Sequence, residues 1–499
     1  MENTMKKYKL FIDGKWVESL SGKTFCSYDK ADGSIVNEFS QAGAEDVNLA
    51  CKAARKAFDS WSSMSGLTRA EYLIKIAKGI EKRRREMAEY ESRETGKPIK
   101  DSYGFDIRVS AWAFEYFANL GKEIRGDVIP LIEGGDCSKD DFSFATYEPF
   151  GVAAIIAPYN FPLHLMSRSL APALAAGNTC VIKASSITPS TTAILGEIFE
   201  EVGLPAGVVN IVHGQGSLVG NAMVSHEEVD VIGFTGSEMV GRELMRLSAD
   251  APVIKKCILE LGGKGPVIVE PDADLEIAAD AQINGFTFNQ GEVCCAMTRL
   301  IVHEDVKEAY LKILKSKCAQ IKIGPPLDEG TQMGCLISEK HLESVDNYVK
   351  EAVSQGAEIF CGGKRFSEGA CANGAYYEPT ILTGIRPDMR IWKEEVFGPV
   401  LSVVTYRDTQ EALKLANDTK FGLGSNIFTK DLRKAYQMAK KINAGMVWVN
   451  MGNGMHMAAP FGGNKNSGMG REYGSYGLHE YMKVKNNTWR MTTREGDVI

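Results

Sequence analysis

A chain of 499 residues exceeds the ~250 to 300 residues at which a single hydrophobic core stops growing, so at least two domains are expected and a small-motif protein is excluded. With 44% hydrophobic and 24% charged residues, the composition is that of ordinary globular proteins, which excludes disordered, fibrous and repeat-built chains. Lys plus Arg number 57 against 64 Asp plus Glu, a formal charge of -7, so the positive field that phosphate-backbone binding requires is missing and no nucleic-acid partner is expected.

In chain order, residues 1–10 read MENTMKKYKL and lack the apolar core of a signal peptide. No apolar run reaches the ~18 to 20 residues of a membrane span, so the expectation is a soluble, cytoplasmic protein with no membrane partner. Residues 44–95 are charged and helical in pattern, and the run 81–86 is expected to be a solvated helix face. Residues 127–147 have strand-like ends around polar residues. Together with 475–499 they fit neither of the main blocks, and both segments are expected to protrude as strands that pair with another subunit, because exposed strand edges are normally covered or paired.

Between 151 and 263 short β-branched runs alternate with longer helix-period segments. The expected strands are 152–157, 179–183, 208–212, 231–234 and 253–259. The clearest helix is 189–202, where Ala193, Ile194, Ile198 and Phe199 form an apolar stripe. Parallel strands need crossover connections, usually helical, so this alternation predicts an α/β fold with a parallel sheet covered on both faces. A second alternating block begins with a strand at 266–269 and runs to about 463. The composition break at Gly262-Gly263 is read as a hinge.

Eleven cysteines, an odd number without any C-x-x-C, and seven dispersed histidines without H-E-x-x-H point to reduced thiols and no metal. Cys294 and Cys295 follow a glycine turn, although a cysteine out of context is ordinarily a small buried hydrophobe. Glu260 ends a predicted strand ahead of two glycines and reads equally as a salt-bridged strand end. Asn160 follows another strand, and its bland alternative is the N-cap of a helix over 162–176. Ligands of open α/β sheets bind outside the carboxyl ends of the strands, so an amide, a carboxylate and a thiol can face one crevice. The segment 234–241, FTGSEMVG, presents Gly236 and Ser237 at a helix start suited to a pyrophosphate. Lys183, at a strand end, offers a cation for ribose or phosphate, or is simply solvated.

Seven segments, 158–162 (PYNFP), 172–183 (PALAAGNTCVIK), 234–241, 260–264, 288–299, 394–400 (EEVFGPV) and 460–472 (PFGGNKNSGMGRE), together resemble the motifs of the aldehyde dehydrogenase superfamily, near its benzaldehyde- and semialdehyde-type members. They occur in the family's order and spacing across essentially the whole chain, and Arg299 marks Cys294, rather than Cys295, as the motif's cysteine. The resemblance implies two open, doubly wound parallel-sheet domains plus a small β oligomerisation domain: 1–126 and 148–262 for the cofactor, 263–462 for catalysis, and 127–147 with 475–499 for assembly into a homodimer or homotetramer. It further implies that the Cys294 thiolate attacks the aldehyde, that the Asn160 amide holds the oxyanion, that hydride leaves to a nicotinamide cofactor, and that Glu260 activates water to release the acid. By the same resemblance Gly236 and Ser237 meet the pyrophosphate, Lys183 the adenosine ribose and Glu395 the nicotinamide ribose, with Phe397 alongside. Phe161, Leu165, Arg168, Met455 and Phe461 match tunnel positions.

Two departures stand out. Tyr159 replaces the common tryptophan, and Ser186 replaces the common glutamate three residues after the lysine. A carboxylate at position 186 would repel a 2′-phosphate, so its loss implies that NADP is accepted as well as NAD, and leaves a preference for NADP open. Glu260 argues against a CoA-acylating relative, and Cys294 against a non-catalytic descendant. For the substrate, an apolar or aromatic aldehyde is expected, with an ω-carboxylated semialdehyde gripped by Arg168 as the alternative. Met455 and His456 stand where semialdehyde enzymes tend to offer a serine, and a trimethylammonium aldehyde is disfavoured by the Arg168 charge.

Overall fold

The computed structural model describes residues 5–132, 137 and 139–491. Its largest sheet has eight strands in the order 468–469, 256–260, 231–235, 152–156, 179–183, 209–211, 10–12 and 15–17. The five from Lys256–Glu260 to Val209–Ile211 run parallel and the outer three pair antiparallel. Every residue of Val152–Ile156, Thr179–Lys183 and Val231–Thr235 is buried, which is why these strands read as continuous apolar runs rather than as alternating ones.

The second sheet has seven strands in the order 358–361, 380–383, 400–406, 299–303, 266–269, 424–428 and 446–449. All its pairings are parallel except that of the edge strand Glu358–Cys361. Helices cover both sheets, giving the α/β architecture expected from the sequence. A third, antiparallel sheet is built from Met482–Trp489, Phe142–Pro149 and Asp127–Ile129. Among the described residues no helix is long and apolar enough to cross a membrane, and no group of three or more His, Cys, Asp or Glu could hold a metal.

Several expected boundaries move. The strand expected over 253–259 is Lys256–Glu260; Ile254 is β-branched but 99% exposed, so pattern alone overran the hydrogen-bonded ladder. The run 81–86 is not one solvated face. The chain breaks at Arg83, between the helices Gly66–Lys82 and Arg84–Thr95, and the Arg83 guanidinium is held by Glu86 and, at 2.5 Å, by Glu197.

Of the segment 475–499, expected as a strand, Met482–Trp489 is one, paired with Phe142–Pro149 of the same chain. Gly474–Glu480 is a helix, and Leu478, Tyr481 and Met482 are buried in the main core. Residues 133–136, 138 and 492–499 of the two assembly segments lie outside the described residues.

Asn178 fastens three of these parts together. Its side chain accepts from Gly151 N at 3.0 Å, and donates to the Ala173 carbonyl at 3.1 Å and the Tyr481 carbonyl at 2.9 Å. Asn178→Ala would leave buried backbone groups unpaired and is expected to cost about 2 to 4 kcal/mol. The check is the midpoint of the first urea unfolding transition; an unchanged midpoint contradicts this role.

Candidate active site

The buried helix Pro162–Ala176 begins at a proline, whose missing N–H costs nothing in the first turn, and ends at Gly177 with φ 104°. Asn160 is not its cap: Phe161 occupies that position and gives no side-chain cap. Instead Asn160 Nδ2 donates to the Glu292 carbonyl at 2.9 Å, which fixes one amide N–H and leaves the other to point elsewhere.

The loop before Cys294 is strained. Asn289, Gln290 and Gly291 take φ values of 49°, 55° and 74° in succession, and each non-glycine residue there costs about 1 kcal/mol or more. Asn289 Nδ2 donates to the carbonyls of Asn160 (3.1 Å) and Glu292 (3.2 Å), so the nucleophile loop and the amide loop are tied together.

The glycine pair after Glu260 is required by close approach. A Cβ on Gly263 would lie 2.3 Å from the Cys294 carbonyl oxygen, and one on Gly262 2.3 Å from Glu395 Oε2. Glu260 itself is 2% exposed. Neither of its oxygens has a hydrogen-bond partner, and no cation lies within salt-bridge distance among the described residues, so it is not a salt-bridged strand end. Burial pushes its carboxyl well above the usual range, while Arg168 opposes the rise. The Cys294 thiol is likewise held above its usual range, by its hydrogen bond with the Cys295 thiol and by burial.

Cys294 and Cys295 line a cavity of about 300 Å³. All five expected tunnel residues, Phe161, Leu165, Arg168, Met455 and Phe461, line it. Asn160 and Glu260 are not part of its lining. The Arg168 guanidinium donates to Thr235 Oγ1 at 3.1 Å and lies 5.1 Å over the Phe461 ring. Its Nε has no hydrogen-bond partner, and its charge faces Glu472 and Glu260.

The sequence reading missed Phe105, Phe288 and Trp448 in the cavity wall. Phe105 and Phe288 meet edge to face, 5.7 Å apart at 89°. Phe105 sits in a π-helical turn, Ser102–Asp106, which leaves no periodicity to read. Glu472 was also missed, although it ends the last motif: one oxygen accepts from Ser169 Oγ at 3.0 Å and the other has no partner.

At the carboxyl edge of the large sheet, Ser237 caps the helix Glu238–Ala249 by accepting from Val240 N at 3.3 Å. Gly236 N donates to the Glu260 carbonyl at 3.0 Å. Lys183 is not solvated: it is 3% exposed, donates to the Ala184 carbonyl at 2.9 Å, and is pushed down to about 8 by burial. Ser186 borders a separate recess of about 250 Å³, whose lining includes Lys30, Gln41 and Gln215 but no carboxylate.

Glu395 Oε1 accepts from Gly263 N at 2.8 Å, and burial pushes its carboxyl up to about 7. Phe397, at φ 57°, accepts at its carbonyl from His341 Nε2 at 2.8 Å and sets its ring 6.1 Å from Tyr159. The exposed helix start, the buried lysine and the glycine-lined strand ends fit a dinucleotide.

Comparison with known proteins agrees with this geometry. Residues 16–487 match the aldehyde dehydrogenase family. The chain is similar to a betaine aldehyde dehydrogenase of Bacillus subtilis (strain 168), 41% identical over 95% of this chain and 96% of that one. It is also similar to the peroxisomal aminoaldehyde dehydrogenase 1 of Pisum sativum, 40% identical over 99% and 98%. Among solved structures, betaine aldehyde dehydrogenase from Staphylococcus aureus in complex with NAD+ superposes with a TM-score of 0.94 at 38% identity, covering 98% of this chain and 96% of that one. The chain therefore belongs to the aldehyde dehydrogenase family and is an NAD(P)-dependent aldehyde dehydrogenase.

Proposed function

We propose that this enzyme oxidises apolar or aromatic aldehydes to carboxylic acids through a covalent adduct on Cys294, using NAD or NADP. The observation that carries the substrate class is the cavity wall, in which Phe105, Phe161, Phe288, Trp448 and Phe461 surround the space beside the Cys294 thiol. Such walls favour aromatic and aliphatic ligands through burial and ring contacts.

In this reading the Cys294 thiol releases its proton to water, and the thiolate attacks the aldehyde carbon. The oxyanion that forms meets the free N–H of the Asn160 amide, a donor of the kind whose removal costs about 3 kcal/mol. Bound dinucleotide supplies the hydride acceptor, held at Gly236, Ser237, Lys183, Glu395 and Phe397. Glu260 then takes a proton from water, which attacks the thioester carbon and expels the Cys294 thiolate with the acid. Glu260 serves as a base only once ionised. Its raised pKa therefore makes the release step accelerate as pH rises, and Arg168 moves that range to lower pH.

The segments 1–126 and 148–262, which carry seven of the first sheet's eight strands, are assigned to the cofactor, and 263–462 to the nucleophile. The segments 127–147 and 475–499, which carry the third sheet except for the last two residues of Phe142–Pro149, are assigned to joining copies into a homodimer or homotetramer. The exposed Val128, Phe142, Val484 and Trp489 of that sheet support that assignment.

Two relatives carry the names betaine aldehyde and aminoaldehyde dehydrogenase, but a guanidinium in this cavity opposes a cationic aldehyde. The unpartnered Arg168 Nε favours a second reading, an ω-carboxylated semialdehyde. Against it, the guanidinium is already engaged by Thr235 Oγ1 and the Phe461 ring. Arg168→Leu is expected to raise the Glu260 pKa and so to lower kcat at neutral pH by a similar factor for every aldehyde. A rise in KM confined to succinic semialdehyde would establish the second reading instead.

For the cofactor, Ser186 and its carboxylate-free recess support acceptance of NADP. Ser186→Glu is expected to shift the specificity ratio toward NAD by roughly 10- to 100-fold through repulsion of the 2′-phosphate. A wild-type ratio favouring NAD by several orders of magnitude, unchanged in the variant, contradicts it.

A further inference from the structure

The helix Arg84–Thr95 ends at Gly96 with φ 84°. A Cβ there would meet the Cys335 carbonyl oxygen at 2.2 Å. This left-handed stop turns Lys97 inward, where it is completely buried. Its ammonium donates to the backbone carbonyl of Asn160 at 2.7 Å, to Asp106, and lies 3.5 Å from Glu91. It also sits 4.2 Å over the Phe161 ring.

A lysine is almost never fully buried unless it is paired, and here the partners lead to the site. Glu91 accepts from Leu163 N at 3.4 Å, in the first turn of the helix that follows Asn160. Asp106 ends the π-helical turn that brings Phe105 into the cavity. Burial and the Asp106 charge push the Glu91 carboxyl well up, and Asp106 is the carboxylate in direct contact with Lys97.

We propose that Lys97 is a positioning residue that fixes the oxyanion-binding amide of Asn160 by holding the Asn160 carbonyl through its ammonium. The inference rests on the role given to Asn160 above. Lys97 does not touch the aldehyde; it shares the Asn160 carbonyl with the Asn289 amide, while the Glu292 carbonyl holds the Asn160 side chain. A small error in the placement of such a donor is costly, because a displacement of about 1 Å can lower a rate by about 100-fold.

The test compares wild type, Lys97→Gln, Asn160→Ala and the double variant, with three readouts. Aldehyde kcat/KM reports the oxyanion step. Alkylation of Cys294 by iodoacetamide passes through no oxyanion and reports the thiol alone. NAD affinity, from protein fluorescence, reports the cofactor site.

Asn160→Ala is expected to lower kcat/KM by about 100- to 1000-fold, and Lys97→Gln by about tenfold or more. Alkylation rate and NAD affinity are expected to stay within about twofold in Lys97→Gln. Adding Lys97→Gln to Asn160→Ala is expected to change kcat/KM by less than about twofold, since residues that act through one another are not additive.

If Asn160→Ala leaves kcat/KM unchanged, the Asn160 assignment fails and this inference with it. If Asn160→Ala is costly but Lys97→Gln lowers kcat/KM by the same factor in both backgrounds, or has no effect, only the Lys97 inference is overturned. Should Lys97→Gln fail to fold because Asp106 is left as an unpaired buried charge, Lys97→Gln/Asp106→Asn removes that charge, and the same comparison applies against Asp106→Asn.

Discussion

The two large sheets meet at a backbone contact that only glycine permits: Gly263 lies so near the Cys294 carbonyl that any side chain would occupy the space of that oxygen. Gly262 leaves room for the Glu395 carboxylate beside it. These contacts bring a thiol carried by the second sheet's loop beside a carboxylate that ends a strand of the first. Neither sheet holds the full set of groups by itself. The strained backbone at Asn289 and Gln290 is tolerated because the Asn289 amide bonds to both the Asn160 and Glu292 carbonyls, so the surroundings determine the loop more firmly than its own preferences do.

Burial then sets the electrostatics. Glu260 and Glu472 each have an oxygen without a partner, and Arg168 faces both from the cavity side. In such surroundings a charge is worth more than in water, and an unbalanced one is costly. On the proposed reading the guanidinium belongs to this internal balance more than to the substrate, which explains how an arginine can line a cavity walled mainly by aromatic and aliphatic residues. A second balance lies behind the Asn160 loop, where Lys97 and Asp106 compensate one another without contact with the cavity.

Much of this was legible in the sequence, for physical reasons. Strands buried on both faces are continuous β-branched runs, so Thr179–Lys183 and Pro266–Val269 were found with their observed bounds. Cys294, Glu260 and Asn160 stand beside glycines and prolines whose positions follow from close approach and helix starts, and such motifs survive in a linear reading. Lys97 and Phe105 were not legible. One is a lysine after a helix stop and the other lies in a π-helical turn, and only tertiary packing gives either a direction. The helix Gly474–Glu480 was lost for a related reason: seven residues with two glycines carry little helical pattern, and the burial of Leu478 and Tyr481 decides their conformation.

The central claim is that Cys294 carries the acyl group and Glu260 releases it. It is tested most directly by mixing Glu260→Gln with NAD and an aromatic aldehyde, quenching within one turnover, and mapping the mass of the 288–299 segment. The account predicts an acyl adduct on Cys294 that persists far longer than in the wild-type enzyme. An adduct on Cys295, or no adduct while acid is released at the wild-type rate, would contradict it.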